Sequence, residues 1–154
     1  EGFLQLRSAL IDDDAYRPYS FDMAAMEERY RKTQFKEVVA LFREAMPNLL
    51  LSPRAHMLAA LAYDKLGMDN EHQVELIIYE RCVEAILGTG DGTRGKPYLV
   101  TRVSDEYDVI NHLDRRHVRQ TLVDAEGRKL DLLELDGGGE LAFDITDFFH
   151  LSDD

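Results

Sequence analysis

The sequence predicts an α+β protein in which paired helical hairpins, about four helices in all, pack with a C-terminal antiparallel β-meander that contains one short helix. Three observations predict it. Apolar residues recur at helical spacing through the first two-thirds of the chain, β-branched and aromatic runs separated by glycine turns fill the last third, and a glycine-rich joint, 88–96, lies between them. The expected organisation is one compact unit, 1–154, with a helical layer at 20–87, the connector at 88–96 and the β-meander at 97–149.

Met23, Met26, Tyr30, Phe35, Val38, Val39, Phe42 and Ala45 follow the i, i+3, i+4, i+7 pattern of amphipathic helices. Thr33-Gln34 marks a turn between two short helices, and Pro47-Asn48 ends the second. Ser52 then serves as an N-cap with Pro53 in the first turn, where a missing N–H does no harm. That helix runs through Ala59, Ala60 and Tyr63 to Leu66, with Gly67 as its C-cap. The next spans about Glu71 to Leu87 and is expected to bury Val74, Ile77, Ile78, Cys82, Ala85 and Ile86. The two hairpins align at an offset of 34, pairing Met26 with Ala60, Thr33 with Gly67, Phe42 with Leu76 and Ala45 with Tyr79. Thirty-four is the tetratricopeptide period, and such hairpins commonly build a surface for a protein partner.

"GTGDGTRGKP" (Gly88–Pro97) contains G-x-x-x-x-G-K, seven of eight positions of a phosphate-binding P-loop. The context is reversed, because a P-loop follows a strand and opens a helix, whereas this stretch follows a helix and leads into a strand. Pro97 also replaces the Ser/Thr that would hold magnesium. The segment is therefore read as a connector. "KPYLVTRV" is the first strand, "SDEYDVINHL" a short helix with Ser104 as N-cap, and "HVRQTLVD", "RKLDLLEL" and "ELAFDITDFF" the remaining strands. The "AEG" and "DGGG" turns separate the last three. If Leu135 faces Glu140 across the second turn, then Leu132 faces Phe143, Leu130 faces Ile145, and Asp131 lies opposite Asp144. Like charges so placed are destabilising unless a cation, a partner's base, or Lys129 and Arg119 offset them.

The net charge of −12, from 18 basic and 30 acidic residues, keeps the chain soluble, repels nucleic acid and anionic lipid, and attracts basic proteins or cations. Cys82 is the one cysteine, so no internal disulfide and no multi-thiolate site is possible. No segment has the run of about 18–20 apolar residues that a membrane span needs. The five histidines form no H-x-x-x-H pattern and no serine sits in G-x-S-x-G, so neither a metal site nor a serine nucleophile is indicated. No cofactor motif is present.

The segments "AYRPYS", "AHMLAALAYDKLG", "GDGT", "SDEYDVI", "RQTLVDAEGRKLDLLEL" and "LAFDIT", in this order, resemble a bacterial family known as domain of unknown function 4919. The resemblance runs from about Leu4 to Phe149. Its most specific pieces are Tyr16-x-Pro18-Tyr19, Gly90-Asp91-Gly92, Asp105-Glu106-Tyr107 and Gln120-Thr121-Leu122-Val123. Family members often continue the connector as Ser-Pro-Glu, where this chain has Thr93-Arg94-Gly95-Lys96-Pro97. The resemblance implies the same helical-plus-β architecture and a periplasmic or secreted setting, and it brings no known activity. Read physically, Tyr16, Pro18 and Tyr19 form a rigid corner clamping the N-terminal segment to the helices. Asp91 caps a turn, and Gln120 satisfies backbone groups.

The leading functional expectation is a non-enzymatic protein-binding module. Its candidate contact residues are Asp91, Arg94, Asp105, Glu106 and Tyr107, exposed together near the connector, with Asp131 and Asp144 on the sheet. The alternatives are an acidic inhibitor or immunity-type protein directed at a basic toxin or enzyme, and an enzyme using Asp131, Asp144 and His117.

Overall fold

The computed structural model describes residues 2–153. In chain order it contains α1 (Gly2–Ile11), α2 (Asp22–Arg31), α3 (Phe35–Glu44), α4 (Pro53–Lys65), α5 (Asp69–Leu87), β1 (Tyr98–Leu99), α6 (Val103–His112), β2 (His117–Ala125), β3 (Arg128–Leu135), β4 (Glu140–Asp144), α7 (Thr146–Phe149) and a closing 3₁₀ turn (His150–Asp153). The fold is α+β. The chain divides into two compact units between Cys82 and Val83, inside α5.

The core of the first unit gathers Met23, Met26, Val38, Val39, Phe42, Leu49, Ala55, Ala59, Ala62 and Tyr63, the apolar stripes of α2, α3 and α4. Ser52 caps α4 by accepting the Ala55 N–H at 3.3 Å. At the other end Gly67 has φ +71, the Met68 N–H bonds Tyr63 O and the Gly67 N–H bonds Asp64 O. This double closure satisfies carbonyls that would otherwise be orphaned. Thirty-four residues earlier, Thr33 takes φ 58 in the turn between α2 and α3. The two turns therefore share a left-handed residue at equivalent positions, although only one is glycine. In the Tyr16-x-Pro18-Tyr19 segment the backbone is also held by a polar side chain. Asn48 Oδ1 accepts the Arg17 N–H at 2.7 Å, and Asn48 Nδ2 donates to Ser20 Oγ and Asp22 Oδ2, both at 3.0 Å. Tyr16 is buried and Tyr19 is exposed.

The expectation for α5 needs correction. Val74 and Ile77 are more than half exposed, while Val83, absent from the expected set, is fully buried together with Cys82 and Ile86. Cys82 and Ile86 are buried as the periodicity predicts, and the correction concerns the N-terminal half of the stripe, Val74 and Ile77.

A buried polar tie fastens α4 to its surroundings. His56 Nδ1 lies 2.6 Å from Glu75 Oε2 and its Nε2 lies 2.7 Å from Leu50 O. The carbonyl can only accept, so Nε2 donates to it, while Nδ1 faces the Glu75 carboxyl. His56→Ala removes both bonds and leaves Glu75 without its partner. The variant is expected to lose about 2 kcal/mol of stability in urea unfolding; a loss below about 0.5 kcal/mol would show that the tie is not formed.

The second unit is built on a four-stranded sheet of order β1-β4-β3-β2. The sheet is mixed, not the purely antiparallel meander that the sequence suggests. β2, β3 and β4 are antiparallel, but β1 runs parallel to β4, pairing Tyr98 with Phe143 and Leu99 with Asp144. Its expected eight residues shrink to two because its backbone is engaged elsewhere. The Leu99 N–H goes to Thr89 Oγ1 at 2.8 Å, and the Thr101 and Arg102 N–H groups go to Asp105 Oδ2 at 2.9 and 3.3 Å. The last two bonds turn the chain into α6 two residues earlier than expected, with Arg102 and not Ser104 at the cap position.

The β3–β4 register also differs from expectation by one residue. Asp131 faces Phe143, Leu132 faces Ala142 and Leu130 faces Asp144. Gly137, Gly138 and Gly139 all take positive φ, and the Leu135 N–H bonds Gly139 O, so the turn closes one residue shorter than the expected register requires. A one-residue slip exchanges the two faces of a strand. Asp131 and Asp144 therefore lie on opposite faces of the sheet. Leu130, Leu132 and Ala142 form one buried cluster, with Val123 and Ala125 against it. The face opposite carries Asp131, Leu133, Phe143 and Gln120.

Candidate functional site: a buried carboxyl pair joined to a basic pocket

α6 brings Glu106 and Asp105 into the interior of the second unit, both without solvent exposure. This corrects the expectation that these two acids are displayed with Asp91, Arg94 and Tyr107. Asp105 acts locally: its Oδ2 accepts the Thr101 and Arg102 N–H groups and the Thr101 hydroxyl, the last at 3.0 Å. Burial raises its pKa, against the opposing pull of the Arg102 charge and these hydrogen bonds.

Glu106 is the unusual group. Burial first, then the neighbouring Asp131 carboxyl, then the charge of Asp105, push its pKa from 4.5 up to about 10. Neither Glu106 oxygen closes a hydrogen bond, so the approach to Asp131 stops short of a formed bond. A carboxyl in this setting is held neutral at pH 7, because a second negative charge beside Asp131 in a dry interior is costly.

Asp131 connects this pair to the surface. Gln120 Nε2 donates to Asp131 Oδ2 at 3.0 Å, which leaves Gln120 Oε1 free to accept the Tyr107 hydroxyl. Gln120 thus bridges side chains and not the backbone groups expected from sequence. The two bonds orient Tyr107, and the His117 ring stands against it at a centroid distance of 4.9 Å. Both rings line a surface pocket of about 390 Å³ with Ile110, Asn111, Arg115 and Arg116. Arg115 Nη2 is held by Gly138 O at 2.9 Å and Asp136 O at 3.3 Å. Among the described residues, neither Arg115 nor Arg116 pairs with a carboxylate. Arg94, Arg119 and Lys129 are different, reaching Glu140 at 2.7 Å, Glu134 at 3.8 Å and Asp124 at 2.5 Å. The pocket therefore concentrates positive charge in a protein of net charge −12. Sequence reasoning did not single out Arg115, Arg116 or Asn111. The signal available was the local basic run Arg115-Arg116-His117-Val118-Arg119.

The remaining candidates lie elsewhere. Asp91 Oδ1 accepts the Thr93 N–H at 3.0 Å and its hydroxyl at 2.6 Å, and these bonds hold its carboxyl below the usual range. The Asp91 and Gly92 N–H groups both bond Lys96 O, and the Lys96 N–H bonds Thr93 O, so the connector's amides close on the connector itself and not on a phosphate. Arg94 forks onto Glu140, with Nε at 2.7 Å and Nη2 at 3.2 Å. Asp144, one residue outside the Ile145 cap position of α7, accepts the Thr146 N–H at 3.0 Å and hydroxyl at 2.5 Å. Asp131, Asp144 and His117 are thus not gathered into one constellation. Among the described residues no three His, Cys, Asp or Glu side chains are placed to hold a metal ion, and no helix is long and apolar enough to cross a membrane.

The fold and this site define an α+β chain whose mixed sheet ends in an open strand beside a basic pocket. The chain belongs to the family described as domain of unknown function (DUF4919), whose model matches residues 12–150. Neither a curated protein nor a solved structure matches it.

Proposed function

We propose that this chain is a protein-interaction module that accepts an extended segment of a partner along the free edge of β2. The observation that carries the reading is the state of that edge. β2 is the outermost strand on its side of the sheet, nine residues long and exposed along most of its length. Native proteins usually blunt such edges with prolines, lysines or short length. The opposite edge follows that rule, since β1 has two residues. β2 carries neither proline nor lysine, and its single bulge, between His117 and Arg119, leaves Arg119–Ala125 regularly paired with β3. Val118 and Leu122 on this strand are 65% and 45% exposed. An added strand would gain main-chain hydrogen bonds from the edge and side-chain contact from these two residues.

The helical unit supports an interaction role in a second way. Its left-handed turn residues, Thr33 and Gly67, repeat at 34 residues, consistent with tetratricopeptide-like hairpins, and α5 displays Val74 and Ile77. The overall charge of −12 favours a basic partner and keeps the acidic-inhibitor reading as the second choice. Salt separates the two: an inhibitor held by charge loses affinity steeply between low and high salt, whereas an edge-paired strand loses little.

The test is capture from the host's own extract by the wild-type chain and by a Val118→Lys/Leu122→Lys variant, both positions being exposed and tolerant of charge. The edge reading expects a specific partner with the wild type and at least a tenfold weaker association with the variant. Equal capture by both would overturn it.

A further inference from the structure

Resting on the edge reading, we infer that the pocket at the start of β2 receives the C-terminal carboxylate of the partner, so that the bound segment is a chain terminus running antiparallel to β2. Direction comes first. In an antiparallel pair the incoming strand ends beside the first residues of β2, and antiparallel pairs outnumber parallel ones about two- to three-fold. The first residue of β2 is His117, and it lines the pocket together with Arg115, Arg116, Asn111 and Tyr107.

Charge comes second. Arg115 and Arg116, like Lys96 and Arg128, form no ion pair with a carboxylate among the described residues, while Arg94, Arg119 and Lys129 of the same unit each have one. Two uncompensated guanidinium groups at the end of a free strand match a carboxylate in sign and in fork geometry. Preorganisation comes third. Arg115 is fixed by Asp136 O and Gly138 O in the β3–β4 turn, and Tyr107 is fixed through Gln120 to the buried Asp131. The pocket walls are thus ordered before a ligand arrives, which lowers the entropic cost of binding. The strand row beyond the carboxylate would meet Val118 and Leu122, so the terminus is expected to be rich in apolar and β-branched residues.

The probe is an array of random heptapeptides with apolar-biased alternation, synthesised in two series that differ only at the C-terminus, as free acid or as amide. Binding of the full chain is followed by fluorescence anisotropy, then repeated with Arg115→Ala and with Arg116→Ala. Arg116 provides the second variant because its side chain holds no turn together. The expected result is that amidation weakens binders at least tenfold, that either arginine variant weakens the free acids similarly, and that amidation costs a variant little more. Peptides that bind equally as acid and amide, or through an internal Asp or Glu, overturn the carboxylate inference while leaving the edge reading in place. Failure of every peptide in both series, with no partner captured, overturns both.

Discussion

Glu106→Gln is expected to abolish a steep loss of stability with rising pH. In the folded protein the Glu106 carboxyl is pushed up to about 10 from 4.5. Between those values the native state holds one proton more than the unfolded chain, so unfolding becomes easier as pH rises. The contribution is fully present below about pH 4.5 and is lost progressively as pH climbs toward 10. The slope of this one group is up to about 1.4 kcal/mol per pH unit. Glutamine is uncharged throughout and nearly the same shape. Urea unfolding at pH 5, 6.5 and 8 should therefore show similar stability of variant and wild type at pH 5, and an advantage for the variant on the order of 4 kcal/mol by pH 8. The difference in slope is the readout, since the amide's own hydrogen bonding shifts both ends equally. Parallel pH profiles would mean that Glu106 is ionised in the folded protein, and that Asp131 is not shaped by a neutral neighbour.

The second large effect is expected in the connector. A Cβ at Gly90 would stand 2.4 Å from Pro97 O and 2.5 Å from Lys96 O, both backbone atoms that cannot swing aside. Gly90→Ala must displace the segment that forms β1 and is expected to cost about 3–4 kcal/mol. Gly95→Ala is the control, because its nearest neighbour would be Thr93 Oγ1 at 4.0 Å, and it should be near neutral. The same G-x-x-x-x-G-K spelling that imitates a P-loop thus has a packing explanation: Gly90 allows the chain to fold back on Lys96 and Pro97, and Gly92 O accepts the Ala142 N–H at 2.8 Å. Equal stability of the two variants would contradict that explanation.

Much of the fold was legible because its signals are local. Ser52-Pro53 starts α4 and Gly67 ends it through a bond pattern that depends on a few neighbouring residues. The runs that became β2 and β3 read correctly from β-branched and leucine-rich composition between turns. What escaped was decided by longer-range geometry. Three successive glycines at 137–139 leave the turn's length open, so the β3–β4 register could not be fixed, and a single-residue slip moved Asp131 away from Asp144. Glu106 in the first turn of a helix looks like an exposed residue complementing the helix dipole; its burial depends on the sheet face beneath α6. The pocket drew its lining from α6, the loop after it and the start of β2, and only the basic run at 115–119 hinted at it. α1 was not anticipated, and the face that α5 would expose could not be read from periodicity alone.

Amide hydrogen exchange of the full chain, free and saturated with a captured partner or its terminal peptide, tests the sheet-edge function most directly. Binding along the edge predicts new protection in Arg119–Ala125, alternating with the outward-facing amides of β2, together with slowed exchange around Arg115–His117. Protection confined to 22–87, with β2 unchanged, would place the partner on the helices and contradict the role assigned to the strand.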